Sequence, residues 1–328
     1  MLYGFITEDI KQLDKEDPLY IQARYAQKIG KYCELDLNKK IVIDDTGNVI
    51  SIDDELIMLR CTCDNLNQGI RIYKEKGANL FEEYEDIQKI ENWFYYDEIY
   101  NRIIIEVDCN KLGNDLIEKN EFRDFINQYS AIFIKSKCKG FSCVVSTNIL
   151  LEKRKSFMEF LSQQCKIWGE KLLICEYLNV KKDSLGKRES RHIVINGKVL
   201  NSSRQTISLL HTVPKSHIRR AEEKAEIIKK IKGFPINYVL DLGEFSIGEE
   251  KYIDVVEINP LTTSTCFINN SIFVGEESLG IRNKKESLGM GLEYYMDYKE
   301  KTYKYAQNRS SNGKYNYLSE DFYEFLSV

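Results

Sequence analysis

Proline, long apolar runs and a leader-like N-terminus are scarce or absent in this sequence. Proline accounts for 4 of 328 residues and charged residues for 30%, a composition that argues against long extended linkers. No stretch reaches the ~20 apolar residues of a membrane-spanning helix. The first residues lack a basic region followed by an apolar run. We therefore expect no secretory signal and a cytoplasmic protein.

Charge and cysteine usage exclude further classes. The formal net charge of −4 gives no overall attraction to nucleic acid or an anionic membrane, and residues 135–139 form one short basic patch. The nine cysteines are odd in number and irregularly spaced, so we expect reduced thiols rather than a disulfide framework. Cys61 and Cys63 are close enough to begin a metal site, but no second Cys/His pair follows at zinc-like spacing.

The length of 328 residues fits two or three domains at roughly 100–200 residues each. Short apolar runs alternate with helical periodicities, which predicts a mixed α+β protein. We predict an α/β domain over residues 1–108, a central α+β lobe over 109–178, and a C-terminal α+β lobe with a helical tail over 179–328.

Local patterns place individual elements. Residues 18–33 are predicted to be helical, with proline near the start, where its missing N–H does no harm. Residues 81–100 carry apolar side chains at intervals of three and four, which predicts an amphipathic helix. Asn196 and Gly197 lie between β-rich runs and predict a two-residue hairpin turn.

Three oxygen-bearing side chains on two predicted strands form a candidate metal site. Asp241 lies in YVLDLG, and Glu257 and Asn259 lie in VVEINP. Side chains two residues apart on a strand project from the same face, and a hairpin partner can bring Asp241 beside them. Carboxylate and amide oxygens are hard ligands suited to magnesium.

A lysine at a strand end forms a candidate phosphate site. Lys135 ends the run IFIK, and Lys139 and Ser142 follow in a polar loop that contains one glycine. An ammonium group and loop N–H groups can bind phosphate oxygens. No GxxxxGK[ST] loop is present, so a P-loop is excluded.

A third group of residues follows the apolar strand of KLLICEYL. Glu176, Tyr177 and Leu178 end that strand, where backbone groups can meet an adenine ring. Glu189 can accept a hydrogen bond from a ribose hydroxyl. Arg191 lies two residues further along the chain and can contact phosphate groups.

The order of these features over residues 132–265 resembles the ATP-grasp superfamily. The resemblance implies an ATP-grasp fold, in which two α+β lobes clasp ATP behind a small α/β N-terminal domain. It also implies magnesium bound by the Asp/Glu/Asn set. Lys135 would bind phosphate, residues 176–178 adenine, and Glu189 ribose.

The sequence departs from the pattern of that family at two places. Many members carry an arginine two residues before the metal-binding aspartate, where this chain has Val239. Arg191 or Arg204 would then supply the positive charge near the transferred phosphate. For the first phosphate-binding lysine of the family, both Arg102 and Lys111 are candidates.

The resemblance implies a ligase that phosphorylates a carboxylate and passes the acyl group to an amine or another nucleophile. The expected partners are a small-molecule or peptide carboxylate and a nucleophilic acceptor. Arg60, which ends an apolar strand, could pair with the carboxylate. Ser264 and Thr265, just after the metal motif, could hydrogen-bond the acceptor.

Other functions are open at this point. A small-molecule kinase on the same scaffold would transfer the phosphate permanently to a hydroxyl. A non-catalytic nucleotide-binding protein would keep ATP without turnover. A nucleic-acid-binding module has the least support, because it rests on one basic patch in an acidic chain.

Overall fold

The computed structural model describes residues 1–13, 18–28, 30–62, 64–91, 99–100, 102–109, 120–136, 142–168, 171–183, 186–204, 213–247 and 250–264. They form two units: unit 1 contains Met1–Glu91 and the described chain from Val180 onward, and unit 2 contains the described part of Asn92–Asn179. In these residues no helix is long and apolar enough to cross a membrane.

The elements of each unit follow chain order. The N-terminal part of unit 1 contains β1 (Leu2–Ile6), α1 (Thr7–Gln12), α2 (Pro18–Lys28), β2 (Tyr32–Asp36), β3 (Ile41–Ile43), β4 (Leu56–Leu59), α3 (Leu66–Glu75), β5 (Asn79–Leu80) and α4 (Tyr84–Glu91). Unit 2 contains β6 (Ile104–Asp108), α5 (Asn120–Gln128), β7 (Ala131–Ser136), β8 (Ser142–Ser146), α6 (Thr147–Glu152), α7 (Arg154–Trp168) and β9 (Lys171–Glu176). The C-terminal part of unit 1 contains β10 (Lys182–Asp183), β11 (Gly186–Lys187), β12 (Glu189–Ile195), β13 (Lys198–Arg204), α8 (Lys215–Ile228), β14 (Tyr238–Ile247) and β15 (Glu250–Asn259).

The N-terminal sheet has the strand order β3-β2-β1-β4-β5. Its central strand β1 runs parallel to β2 and β4 and is almost wholly buried, as is usual for parallel strands covered on both faces. Gly4 in β1 leaves room for a neighbour, because a Cβ there would lie 2.9 Å from the hydroxyl of Tyr73. That hydroxyl donates to the carbonyl of Phe5 at 3.0 Å, so α3 packs directly on the sheet.

Unit 2 has an antiparallel sheet with the order β6-β9-β7-β8. Apolar side chains of one sheet face pack with those of α5, α6 and α7 into one core. Cys109 and Cys165 form a disulfide with Cα atoms 5.3 Å apart, which lies within the range that a disulfide requires. The expectation of reduced thiols is therefore wrong for this pair. The two cysteines are 56 residues apart in the sequence, and no local pattern indicates that they are close in the fold.

The C-terminal sheet has the order β13-β12-β14-β15 and is antiparallel throughout. Asn196 and Gly197 connect β12 to β13 with φ of 51° and 69°, so the predicted hairpin turn is confirmed. The buried side of α8, which includes His217 and Ala225, contacts the strands of this sheet. One sheet face is therefore covered by a helix.

A β-bulge interrupts the pairing of β14 with β15. Asp241 is opposite Glu257, whereas Leu242 is opposite Val255. Val256 is therefore an extra residue on β15.

The two parts of unit 1 share a hydrophobic core. Tyr3 and Met58 of the N-terminal sheet belong to the same buried cluster as Ile193, Val239 and Leu261. The N-terminal sheet thus supports the strands that carry the candidate metal ligands.

Two predicted helices are shorter than expected. The helix predicted over 18–33 ends at Lys28, Gly30 follows with φ of 66°, and Tyr32 begins a strand. The helix predicted over 81–100 is described only as α4, at Tyr84–Glu91. The predicted C-terminal helical tail lies outside the described residues, and the three-domain division stays a prediction.

Candidate metal and nucleotide site

The C-terminal sheet aligns three charged residues in one row across neighbouring strands. Arg191 of β12 is opposite Asp241 of β14, and Asp241 is opposite Glu257 of β15. Directly opposed residues share a sheet face. The hairpin therefore brings Asp241 and Glu257 together, as the sequence predicted.

Asp241 accepts three hydrogen bonds inside unit 1. Arg191 donates through Nε to Oδ1 at 2.8 Å and through Nη2 to Oδ2 at 2.6 Å, while Nδ2 of Asn259 donates to Oδ2 at 3.0 Å. The exposed fraction of the side chain is 4% for Asp241 and 13% for Arg191. The guanidinium thus neutralises a buried carboxylate in a bidentate geometry.

Asn259 carries the least satisfied polar atom of this group. The residue is fully buried, and its carbonyl oxygen Oδ1 has no hydrogen-bond partner among the residues that the structure describes. A buried polar atom without a partner is rare, and a bound ion is one of the features that account for such an atom. An amide oxygen is also a ligand that magnesium accepts.

The donor set fits a hard cation. Glu257 is half-buried and lies two residues before Asn259 on the same strand, so both side chains project from one face. Within the described ranges there is no group of three or more His, Cys, Asp or Glu residues that could hold a metal ion. A cation bound here would therefore need the amide oxygen as its third protein ligand.

Glu189 extends the charged face along β12. It lies two residues before Arg191, and Lys187 approaches it to 3.7 Å. Burial raises the pKa of Glu189, the charge of Lys187 opposes that rise, and the charge of Asp241 adds to it. The backbone of Arg204 in β13 pairs with that of Ser190 in β12, the residue just before Arg191.

The opposite sheet face holds a closed network of polar side chains. The Ser190 hydroxyl lies 2.7 Å from Nε2 of His192 and 2.7 Å from Nδ1 of His217, and Nδ1 of His192 lies 2.8 Å from the hydroxyl of Ser202. Burial lowers the pKa of His192 to about 3. Ser190, His192 and His217 are each no more than 1% exposed, whereas Ser202 is half-buried. The network is therefore largely shielded from water on the side that α8 covers.

In unit 2, Lys135 occupies the predicted strand end. In β7, Lys135 is opposite Ser142 of β8 and Leu173 of β9, and only 6% of its surface is exposed. Burial raises the pKa of the Cys175 thiol, while the charges of Arg102 and Lys135 lower it. Both cations therefore lie near Cys175, which places Arg102 in the neighbourhood of Lys135. Lys111 and Lys139 lie outside the described residues.

The predicted adenine-binding residues begin at Glu176, the last residue of β9. Glu176 is hydrogen-bonded to the side chain of Tyr129, and burial together with that contact raises the pKa of Tyr129 to about 12. The backbone N–H of Tyr177 donates to the carbonyl of Ala131 at 3.3 Å. Tyr177 and Leu178 are half-buried.

The residues predicted to contact substrate lie in the interior of unit 1. Arg60 is 2% exposed and donates through Nε to Oε1 of Gln22 at 3.2 Å and through Nη2 to the carbonyl oxygen of Ser264. The Ser264 hydroxyl donates to the carbonyl of Pro260. Thr265 lies outside the described residues. The substrate contacts of these residues stay predictions.

Sequence reasoning missed two buried residues next to this group. Gln22 contacts Arg60, and Glu82 accepts hydrogen bonds from the backbone N–H groups of Leu261 and Thr262. Glu82 is one of several acidic residues in its stretch, and no local pattern distinguishes it from its neighbours.

Comparison with known proteins gives a consistent fold. No protein-family model and no curated protein sequence matches the chain. The D-alanine-D-alanine ligase of Helicobacter pylori is similar in structure, with a TM-score of 0.54, 12% identity, and coverage of 85% of this chain and 97% of that chain. The corresponding enzyme of Coxiella burnetii has a TM-score of 0.51 and 13% identity, covering 95% of this chain and 98% of that chain. D-cycloserine synthetase DcsG has a TM-score of 0.52 and 11% identity, covering 85% of this chain and 96% of that chain.

At such identities the likeness is one of fold. The predicted α+β class and the resemblance drawn from the sequence are confirmed at that level. The chain has the ATP-grasp fold.

Proposed function

We propose that the protein is an ATP- and Mg²⁺-dependent ligase that activates a substrate carboxylate as an acyl phosphate for capture by an amine or another nucleophile. The observation that carries the proposal is the buried carbonyl oxygen of Asn259, which has no partner within the described part of the chain and lies on the same sheet face as the carboxylates of Asp241 and Glu257. The names of the similar structures, two ligases and a synthetase, support the reaction class.

Asp241, Glu257 and Asn259 would hold the magnesium ion. When bound, the ion supplies positive charge to the phosphate oxygens and orients them. The contacts of Asp241 with Arg191 and Asn259 fix the position of its carboxylate before any ligand arrives. Such preorganisation lowers the cost of assembling the site.

The remaining roles follow the predicted assignments. Lys135 would bind phosphate oxygens, with Arg102 as a candidate for a second phosphate-binding cation, and Arg191 would supply positive charge near the transferred phosphate. Glu189 would bind a ribose hydroxyl. The other proposed nucleotide contacts are Lys139, Ser142, Glu176, Tyr177 and Leu178, and Arg204 is a second candidate for the charge near the transferred phosphate.

The proposed reaction has two steps. A carboxylate oxygen of the substrate attacks the γ-phosphorus of ATP, the bond to the β-phosphate oxygen breaks, and ADP leaves. The amine then attacks the acyl carbon, inorganic phosphate leaves with the bonding electrons, and the nitrogen loses a proton. Catalysis rests on positioning and charge neutralisation, which needs no nucleophile from the protein.

Glu257→Ala tests the metal site. Loss of a group that only orients a metal ligand costs roughly 10–100-fold in metal affinity or activity. We therefore expect loss of a direct ligand to lower Mg²⁺-dependent ADP release by at least about 100-fold. The matched control is Glu222→Ala, which removes the same charge from an exposed position of α8. Equal ADP release by the Glu257 variant and its parent, with both folded, would rule out this site.

A coupled ADP-release screen tests the reaction class. Amino acids, short peptides and amines form the first panel, with Mg²⁺ present or replaced by EDTA. Mass spectrometry of active mixtures separates the alternatives. An amide product supports the ligase, a stable phosphorylated product supports the kinase, and tight ATP binding without ADP supports a non-catalytic nucleotide-binding protein.

A further inference from the structure

The segment that leaves the candidate metal strand is enclosed by the N-terminal part of unit 1. This exit segment, residues 261–264, begins two residues after Asn259. Leu261, Thr262 and Ser264 are each no more than 3% exposed. The N–H of Cys61, just after β4, donates to the carbonyl of Thr262 at 3.2 Å. The end of the metal strand is therefore fixed by residues that precede it by about two hundred positions.

Glu82 holds the first half of the exit segment. It is 6% exposed, and its two carboxylate oxygens accept the N–H groups of Leu261 at 2.9 Å and Thr262 at 2.7 Å. Burial raises the pKa of Glu82, while these hydrogen bonds and the charge of Arg60 oppose the rise. Both oxygens of the Glu82 side chain are therefore used to hold the exit segment.

Arg60 holds the second half. Its Nη2 group donates to the carbonyl of Ser264, and its Nε group donates to Gln22 at 3.2 Å. The backbone N–H of Arg60 donates to the carbonyl of Gly4 at 2.8 Å, which ties this residue to the central strand β1. The exit segment is thus held at both ends by side chains of opposite charge.

We propose that Glu82 and Arg60 are positioning residues that set the place of the Asn259 amide oxygen, and through it the affinity of the site for magnesium. This inference rests on the proposed function. Asn259 lies two residues from the N–H group that Glu82 binds, so a shift of the exit segment is transmitted directly to its backbone. Groups that orient metal ligands from outside commonly change metal affinity by roughly 10–100-fold.

Glu82→Gln tests the inference. The amide keeps one acceptor oxygen but turns an N–H₂ group toward a backbone N–H that needs an acceptor. We expect the Mg²⁺ concentration for half-maximal ATP binding, measured by calorimetry, to rise by roughly 10–100-fold. ATP affinity in EDTA should be unchanged. Hydrogen exchange of the amides of Leu261 and Thr262 should become faster.

Glu83→Gln is the matched control. Glu83 is next to Glu82 in the chain. Its carboxylate pairs with Lys74, and both side chains are more than 40% exposed. It should leave the Mg²⁺ requirement and the exchange rates unchanged. If Glu82→Gln unfolds at the assay temperature, Arg60→Lys replaces it, because lysine keeps the charge but loses the two-armed donor geometry. A merely structural role would lower thermal stability without changing the Mg²⁺ requirement.

The outcomes separate the two proposals. If the parent protein binds ATP without any dependence on Mg²⁺, the proposed metal site fails, and the positioning role fails with it. If the parent requires Mg²⁺ and the folded Glu82 or Arg60 variant requires the same concentration, the positioning inference is wrong while the proposed function stands. A raised requirement in the variant but not in Glu83→Gln supports the inference.

Discussion

The buried pair of Arg191 and Asp241 makes a quantitative prediction about the metal-free protein. Asp241→Leu would remove the acceptor of three donors, namely two N–H groups of Arg191 at 2.8 and 2.6 Å and the amide group of Asn259 at 3.0 Å. The guanidinium would lose the carboxylate that it binds through two N–H groups, with 13% of its side chain exposed. Leucine has the same number of side-chain heavy atoms and the same branching as aspartate, so the change tests charge and hydrogen bonding more than shape.

The expected magnitude follows from that geometry. Removing one partner of a buried ion pair costs about 3–5 kcal/mol, and the partial exposure of Arg191 places Asp241→Leu near about 3 kcal/mol. Arg191→Leu should cost a similar amount, because it leaves a buried carboxylate. Replacing both partners with apolar residues is often neutral. The double variant should therefore cost only about 1 kcal/mol, for the unmatched amide of Asn259.

Urea unfolding in EDTA at pH 7 measures these values. The two units need not unfold together, so hydrogen exchange of peptides from β14 should assign the transition to unit 1. With a slope of about 2 kcal/mol/M, a 3 kcal/mol loss lowers the midpoint by about 1.5 M. A double variant whose cost equals the sum of the single costs would show that the two side chains do not interact. The arrangement of the candidate site would then be wrong.

Three further predictions concern other parts of the chain. Burial lowers the pKa of His192 to about 3, so between pH 6 and pH 5 only the unfolded chain takes up a proton at this residue. The free energy of unfolding, measured with urea, should therefore fall by about 1 kcal/mol more in the parent than in His192→Asn. Equal losses would contradict a buried neutral imidazole. Gly197→Ala should cost about 1 kcal/mol in the same assay, because φ is 69° and the new Cβ would lie 3.1 Å from the Lys229 side chain; an unchanged midpoint would argue against the turn. Lys135→Ala should weaken ATP binding by about 10-fold in calorimetry, with the exposed Lys155→Ala of α7 as the control, and unchanged affinity would remove Lys135 from the phosphate site.

The parts of the fold with strong local signals could be predicted from the sequence. The Asn196 and Gly197 turn has one favoured geometry, and strand periodicity places Glu257 and Asn259 on one face. The hairpin that joins β14 to β15 makes the two strands neighbours, but the bulge at Val256 decides that Glu257 is opposite Asp241. These inferences succeed because each depends on neighbouring residues or on one tight connection.

Contacts between distant parts of the chain could not be predicted in this way. Glu82 binds N–H groups that lie 179 and 180 residues further along the chain. Arg60 was predicted to pair with a substrate carboxylate, and no local pattern indicates that its donors contact Gln22 and a carbonyl oxygen 204 residues away. Tyr32 was assigned to a helix because the periodicity before it continues, and only the left-handed backbone at Gly30 reveals the end of α2.

The bulge at Val256 makes the candidate site dependent on how one residue is paired. If Val256 were paired with Asp241, in continuation of the outer pairing of Leu242 with Val255, Glu257 would be opposite Leu240, on the side covered by α8. Both prospective ligands on β15 would then turn away from Asp241. Deletion of Val256 would instead remove the bulge and leave Glu257 opposite Asp241, so the site requires that Val256 stay outside the regular pairing of the two strands.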